Sequence, residues 1–68
     1  MGNPHLRNNL KVFRAKLDLT QADLAEQVGV TRKTINTIET GRFVPSTVLA
    51  LKLARAFGVS VEELFELE

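Results

Sequence analysis

The sequence predicts an all-α fold, a compact bundle of five helices in one domain spanning residues 1–68. Three observations predict it. Apolar residues recur at three- and four-residue spacing from Leu6 to Leu67, the periodicity of helices that bury one face. Thr20, Thr31, Ser46 and Ser60 stand where such stretches begin, and Gly29, Gly41 and Gly58 where they end, as helix start and stop signals do. No stretch alternates apolar and polar residues in the manner of a half-buried strand.

The first helix is expected from about residue 4 or 7 to residue 17. Asn3-Pro4 supplies a cap followed by a proline suited to the first turn. Leu6, Leu10, Phe13 and Leu17 then follow at helical spacing, with Asn8 and Asn9 as weak helix formers near the start. Leu19 is expected to plug the core. Thr20 caps the second helix with Asp23 three residues on, a capping box in its Asp form, and this helix ends at Val28. Thr31 caps the third helix, whose inward stripe is Ile35, Ile38 and Glu39, and Gly41 stops it. Arg42 to Pro45 form a loop in which Phe43 either packs on the core, the preferred placement, or lies outward against the backbone of a bound polyanion. Ser46 caps the fourth helix, with Leu49, Ala50, Leu53, Ala54 and Phe57 inward, and Gly58 ends it. Val59 packs, and Ser60 with Glu63 opens a fifth helix from Val61 to about Leu67.

Composition narrows the function. At 68 residues, burial only just offsets chain entropy, a situation that local helical contacts handle better than sheets. With no cysteine, neither a disulfide framework nor a thiolate metal site is available, which fits a reducing cytoplasm. No apolar run approaches membrane-spanning length and no signal-peptide pattern opens the chain, so a soluble cytoplasmic protein is expected. The only histidine, His5, stands in a terminal segment, and no Gly-rich phosphate loop or paired carboxylate is evident. An enzyme, a cofactor, a metal site and a small-molecule ligand therefore have no support in the sequence.

The net charge of +1 conceals an asymmetry. Residues 1–55 hold all nine Lys/Arg against four Asp/Glu, a balance of +5, whereas residues 56–68 hold four Glu and no base, a balance of −4. A basic body with an acidic end suggests a face for a polyanion and a separate face turned away from it.

The stretch 20–41, TQADLAEQVGVTRKTINTIETG, organises the chain. Two short amphipathic helices meet across a glycine turn. Ala25 supplies the small residue needed where the backbones cross, and Gly29 the residue that enters the left-handed region where the first of them ends. Leu24, Val28, Val30, Ile35 and Ile38 fall on inward positions. Upstream stands Arg14, and downstream come Glu-x-Gly (Glu39, Gly41) and a Pro-Ser … Ala … Gly-Val-Ser segment (Pro45-Ser46, Gly58-Val59-Ser60). Over residues 8–67 the chain resembles the helix-turn-helix regulators of the Cro and phage-repressor type, the XRE family. The resemblance implies a lambda-repressor-like DNA-binding fold in which the third helix enters the major groove.

At 100° per residue, the face of the third helix opposite Ile35 and Ile38 holds Lys33, Thr37 and Thr40, flanked by Arg32 and Asn36. All five are polar and none is acidic. By resemblance, Arg32, Lys33 and Thr37 occupy base-contacting positions: Arg32 suits bidentate recognition of guanine, Lys33 a point donor, and Thr37 a thymine methyl or an acceptor. Many relatives carry glutamine at the first two positions, so Arg-Lys implies stronger salt dependence and either guanine in the half-site or, for one of the two, a contact to phosphate alone. Gln21, at a helix N-terminus, is expected on phosphate, with Asn36, Thr40 and Arg42 as further phosphate contacts. The family also pairs the positions of Arg14 and Glu39 in a partly buried salt bridge joining the first and third helices.

With the core assigned, Val48, Leu51, Val61, Phe65 and Leu67 remain, an apolar excess that suggests a partner surface. By resemblance, Leu51, Val61, Phe65 and Leu67 form a dimer face that places two third helices one DNA turn apart, about 34 Å; the alternative is that Phe65 and Leu67 cap the domain's own core. The expected function is sequence-specific binding of double-stranded DNA, at an inverted-repeat operator and within the nucleoid, by a homodimeric transcriptional repressor with no room for a sensor domain. Two alternatives stand beside it. One is an antitoxin that holds a protein partner with its acidic, apolar C-terminal end. The other is a protein-interaction module that kept the fold, against which Arg32 and Lys33 argue.

Overall fold

The computed structural model describes residues 6–68; the Asn3-Pro4 helix start and His5 lie outside the described residues. The described chain runs β1 (Leu6–Asn8), α1 (Leu10–Lys16), α2 (Gln21–Val28), α3 (Arg32–Glu39), α4 (Thr47–Phe57), α5 (Val61–Leu64) and β2 (Phe65–Leu67). The five helices stand in the expected order, but the fold is not purely helical. β1 and β2 form a two-stranded antiparallel sheet pairing Leu6 with Leu67, Arg7 with Glu66 and Asn8 with Phe65.

The two strands replace the outer ends of the predicted first and fifth helices, and the asparagines supply the reason. Asn8 Oδ1 accepts from the Leu10 N–H (3.2 Å), and Asn8 Nδ2 donates to the Ile38 carbonyl at the end of α3 (3.0 Å). The Asn9 backbone N–H donates to the Leu64 carbonyl (2.8 Å) and its side chain to the Glu63 carbonyl (3.0 Å). Short amides of this kind bond backbone outside a helix as readily as within one. Here they bond carbonyls in the last turns of α3 and α5, where a helix end leaves acceptors without an intrahelical partner; the Ile38 carbonyl accepts from the Gly41 N–H as well. α5 accordingly stops at Leu64, and Phe65 takes an extended conformation (φ −126°, ψ 137°). That turn carries Phe65 into the core at 9% exposure, whereas the sequence left it outside on a partner face. Leu67, expected in a helix, lies on the strand and is 78% exposed. Leu17, the last residue of the predicted first stripe, caps α1 and is exposed.

The helix starts follow their hydroxyls. Thr20, Thr31, Ser46 and Ser60 each accept from the backbone N–H three residues on, and at Thr20–Asp23 and Ser60–Glu63 the acidic side chain bonds back to complete the box. The core gathers Leu10, Leu24, Ile35, Ile38, Leu53 and Leu64, all essentially inaccessible, with Leu19 and Val59 partly buried against it. Ala25 of α2 is buried, at 3% exposure. The Phe13 and Phe57 rings, 5.7 Å apart, join α1 to α4. Among the described residues no helix is long and apolar enough to cross a membrane.

Two left-handed residues set the entries to α2 and α3. Gly29 closes α2 at φ 76°, and a Cβ built there meets nothing within 4 Å. Asp18 holds φ 58° in the turn after α1, where Leu19 N–H returns to the Arg14 carbonyl. In that region a non-glycine residue is strained by roughly 1 kcal/mol. Urea unfolding should therefore show Gly29→Ala destabilising by about 1 kcal/mol, through backbone strain alone, and Asp18→Gly stabilising by about 0.5 kcal/mol. A less stable Asp18→Gly would mean that the aspartate side chain offsets its own strain.

Candidate nucleic-acid interface

α3 is held by a polar node at its C-terminal end. Arg14 Nε donates to Glu39 Oε2 (2.6 Å), while Arg14 Nη2 and Gln21 Nε2 both donate to Glu39 Oε1 (3.0 Å each). Arg14 Nη1 also donates to the Leu19 carbonyl (2.9 Å). The Glu39 and Arg14 side chains are 7% and 15% exposed, and a bidentate arginine fork meets the carboxylate well. One carboxylate thus joins α1, α2 and α3.

Burial alone pushes the Glu39 carboxyl up. Hydrogen bonds from Arg14 and Gln21, with the positive charges of Arg14 and Lys11, outweigh it and hold the group below its ordinary value of 4.5. The same Glu39 hydrogen bond raises Arg14 against the opposing effect of burial. A carboxyl with a lowered folded pKa contributes its stability above the unfolded value.

The outer face of α3 lies opposite its buried stripe of Ile35 and Ile38. Arg32 and Lys33 are exposed, and among the described residues neither has a hydrogen-bond or ion-pair partner. The first turn of α3 holds no acid. Thr37 and Thr40 each donate their hydroxyl back along the helix, to the Thr34 carbonyl (2.8 Å) and the Thr37 carbonyl (3.2 Å). Asn36 is exposed and accepts from Gln21 Nε2 at 3.3 Å. Gln21, the first residue of α2, is thereby fixed against α3, beside N–H groups that no helix end satisfies internally. Arg42 is exposed, with its backbone N–H on the Thr37 carbonyl (2.9 Å). The structure therefore brings Arg32, Lys33, Asn36, Thr37 and Thr40 onto one outer surface, with Gln21 at one side and Arg42 beyond the C-terminal end.

Two expectations need correction. Phe43 is not part of the core: the residue is 47% exposed and lines a shallow hollow with Lys33, Thr34 and Thr37. The loop turns back onto α3 before the ring could reach inward, and only its position directly after the third helix hinted at this. The charge asymmetry is also less complete than composition implies. β-pairing sets Arg7 beside Glu66 (3.4 Å) and Glu68 (3.9 Å), so part of the acidic end carries its own base.

On the far side, Leu51 is exposed, Val61 is partly buried, and Phe65 contributes only an edge. With Leu6, Pro45, Thr47 and Ala50 they line an apolar groove. Leu67 lies outside that lining.

This arrangement, two short helices joined through the left-handed Gly29 with the second presenting a cationic face, is that of a DNA-binding helix-turn-helix. A helix-turn-helix family model (HTH_3) matches residues 10–64, and the chain belongs to the XRE-family helix-turn-helix proteins, a family of DNA-binding transcriptional regulators. It is similar to an HTH-type transcriptional regulator of Methanocaldococcus jannaschii, 50% identical over 60 residues, which cover 88% of this chain and 91% of that protein. Among solved structures it is similar to the P22 c2 repressor in complex with a synthetic operator, with TM-score 0.77 and 30% identity over 79% of this chain and 82% of that one. It is also similar to a transcription factor from Neisseria, with TM-score 0.75 and 29% identity over 81% of this chain but only 63% of that longer chain.

The node generates a stability prediction. Glu39→Ala leaves the Arg14 guanidinium mostly buried without a counter-charge, and should cost about 3 kcal/mol in denaturant unfolding. The wild-type contribution should stand in full above about pH 4.5 and fade as pH falls through the lower folded value. In Glu39→Gln that acid-dependent part should be gone. A loss of only a few tenths of a kcal/mol in Glu39→Ala would mean that the pair is effectively solvated.

Proposed function

We propose that the chain is a sequence-specific double-stranded-DNA-binding regulator that represses by occupying an inverted-repeat operator as a homodimer. The observation that carries the reading is the outer face of α3. Its two adjacent bases, Arg32 and Lys33, have exposed side chains without a partner among the described residues, with no acid in the first turn, on a helix anchored at its C-terminal end by Glu39.

Arg32 and Lys33 read base edges. A bidentate arginine–guanine contact discriminates by about 1–3 kcal/mol. Thr37 adds contact at the groove floor. Gln21, Asn36, Thr40 and Arg42 hold phosphates on the two sides of the groove, setting register without reading sequence. That the P22 c2 repressor, at TM-score 0.77, is a repressor solved on operator DNA supports both the docking and the repression. The apolar groove with Leu51, Val61 and the Phe65 edge, together with Leu67, serves as the dimer face. Lys52 and Arg55 stand beside Val48 and Leu51 at its margin.

In vitro selection from a random duplex library at near-physiological salt tests the reading. The expected product is an inverted repeat with half-sites about one helical turn apart and guanine under Arg32. Arg32→Ala should relax the choice at that guanine and weaken binding by about 1–3 kcal/mol, roughly 5- to 150-fold. Arg42→Ala should weaken all sequences alike and lower the salt slope by about one. Sedimentation should give a dimer for the wild type and a monomer for Leu51→Glu. A bound pool with no enriched sequence would overturn the sequence-specific reading and leave only phosphate-driven affinity.

A further inference from the structure

The outer side of α4 carries a stripe at helical spacing. Val48, Leu51, Lys52 and Arg55 recur at three- and four-residue steps and line one shallow hollow. The helix turns its other side, with Leu49, Leu53, Ala54 and Phe57, to the core. Val48 and Leu51 are exposed, so two large aliphatic side chains stand in water directly beside two cations. Neither the Lys52 nor the Arg55 side chain has a hydrogen-bond or ion-pair partner among the described residues, although both also border a hollow that holds Glu26. Leu51 belongs as well to the apolar groove, whose other bank is Val61 of α5 and the Phe65 edge. Glu62 lies one helical step of about 100° beyond Val61, away from the buried Leu64. Its side chain is exposed and likewise without a partner among the described residues. The α4 bank of the groove therefore carries cations, its middle is apolar, and the α5 bank carries an acid.

We infer that this surface receives a second copy of the chain in one orientation, with Lys52 and Arg55 of each copy set against Glu62 of the other. The inference rests on the homodimer reading above and deepens it, by naming the residues that fix the register. A two-fold interface uses the same patch on both copies, so the patch must be complementary to itself. A strip with cations on one bank and an acid on the other meets that condition in one way. A two-fold axis lying in the interface, at right angles to the line from Lys52 to Glu62, brings each cation pair over the opposite acid. An axis along that line sets cation on cation and acid on acid, which is repulsive. Val48, Leu51 and Val61 supply the apolar contact, and the charges choose between arrangements that apolar contact alone leaves open. The chosen register also sets the direction and spacing of the two α3 helices, and with them the spacing of the half-sites.

The test uses the full chain without DNA, in sedimentation at low salt. Lys52→Glu combined with Arg55→Glu makes both banks acidic, and Glu62→Lys makes both banks basic. Each variant alone should dimerise more weakly than the wild type by about tenfold or more, and the loss should shrink in high salt. Mixed in equal amounts, the two should form a heterodimer of near wild-type affinity. One of its two charge contacts is then native and the other has its signs exchanged, and the rescue shows that both variants are folded. Glu62→Gln, which adds no charge, is a milder second variant and should lower the salt dependence of dimerisation. Reversals that each dimerise as the wild type does would overturn the inference and leave the homodimer reading standing. Folded variants that stay monomeric when mixed would overturn it as well, since the charges would then act otherwise than by this pairing. A wild type that is monomeric at micromolar concentration would remove the homodimer reading and this inference together.

Discussion

A single carboxylate ties together the three helices that frame the proposed DNA-facing surface. Glu39 closes α3 and accepts from Arg14 of α1 and Gln21 of α2 within one small, largely buried cluster. An acid at a helix C-terminus is electrostatically misplaced, because the dipole there is negative. Three hydrogen bonds, two of them from a guanidinium, offset that cost. The position therefore depends on its partners, and its partners depend on it. Arg14 also holds the Leu19 carbonyl, so the node fixes the turn that delivers the chain to Thr20 and the start of α2. Since Gln21 belongs to the same cluster, the spacing between the start of α2 and the outer face of α3 is set by hydrogen bonds rather than by packing alone.

The proposed recognition surface consists largely of side chains the fold does not need. Polar groups with structural work are accounted for: Thr20, Thr31, Ser46 and Ser60 cap helices, and Asn8 and Asn9 close the ends of α3 and α5. Arg32 and Lys33 have no such role among the described residues and stand in water on a short helix. Cations held unpaired at a fixed spacing suit a polyanion, whose condensed counterions they can displace. Rigidity behind and availability in front are the two conditions for a preorganised binding face.

Much of this was legible in the sequence, because helix caps and left-handed glycines are local signals. Thr20 with Asp23, Gly29, Thr31 and Ser60 with Glu63 each specify backbone geometry within four residues, and the inward stripe Leu24–Val28–Ile35–Ile38 follows from period. The small sheet was not legible. Its strands are three residues long and lie at opposite ends of the chain, Leu6–Asn8 against Phe65–Leu67, so no local pattern announces the pairing. Leu6 also continues the spacing of Leu10 and Phe13 by coincidence, extending an apparent helix into a strand. Phe43 was misread because an aromatic residue is ordinarily core, and only the return of its N–H to the Thr37 carbonyl decides otherwise. The site residues on α3 were legible as a face. Which of their donors are already engaged, as the Thr37 hydroxyl is, required coordinates.

The central claim is that DNA meets α3, the start of α2 and the loop after α3, and not the apolar side made by α4, α5 and β2. Amide NMR of the isotopically labelled chain titrated with duplex DNA tests it directly. The account predicts the largest shift changes at Gln21, Thr31 to Thr37 and Thr40 to Phe43, with the interior amides of α5 and β2 little moved. Changes concentrated on Val48, Leu51, Val61 and Leu67, with α3 unmoved, would contradict it.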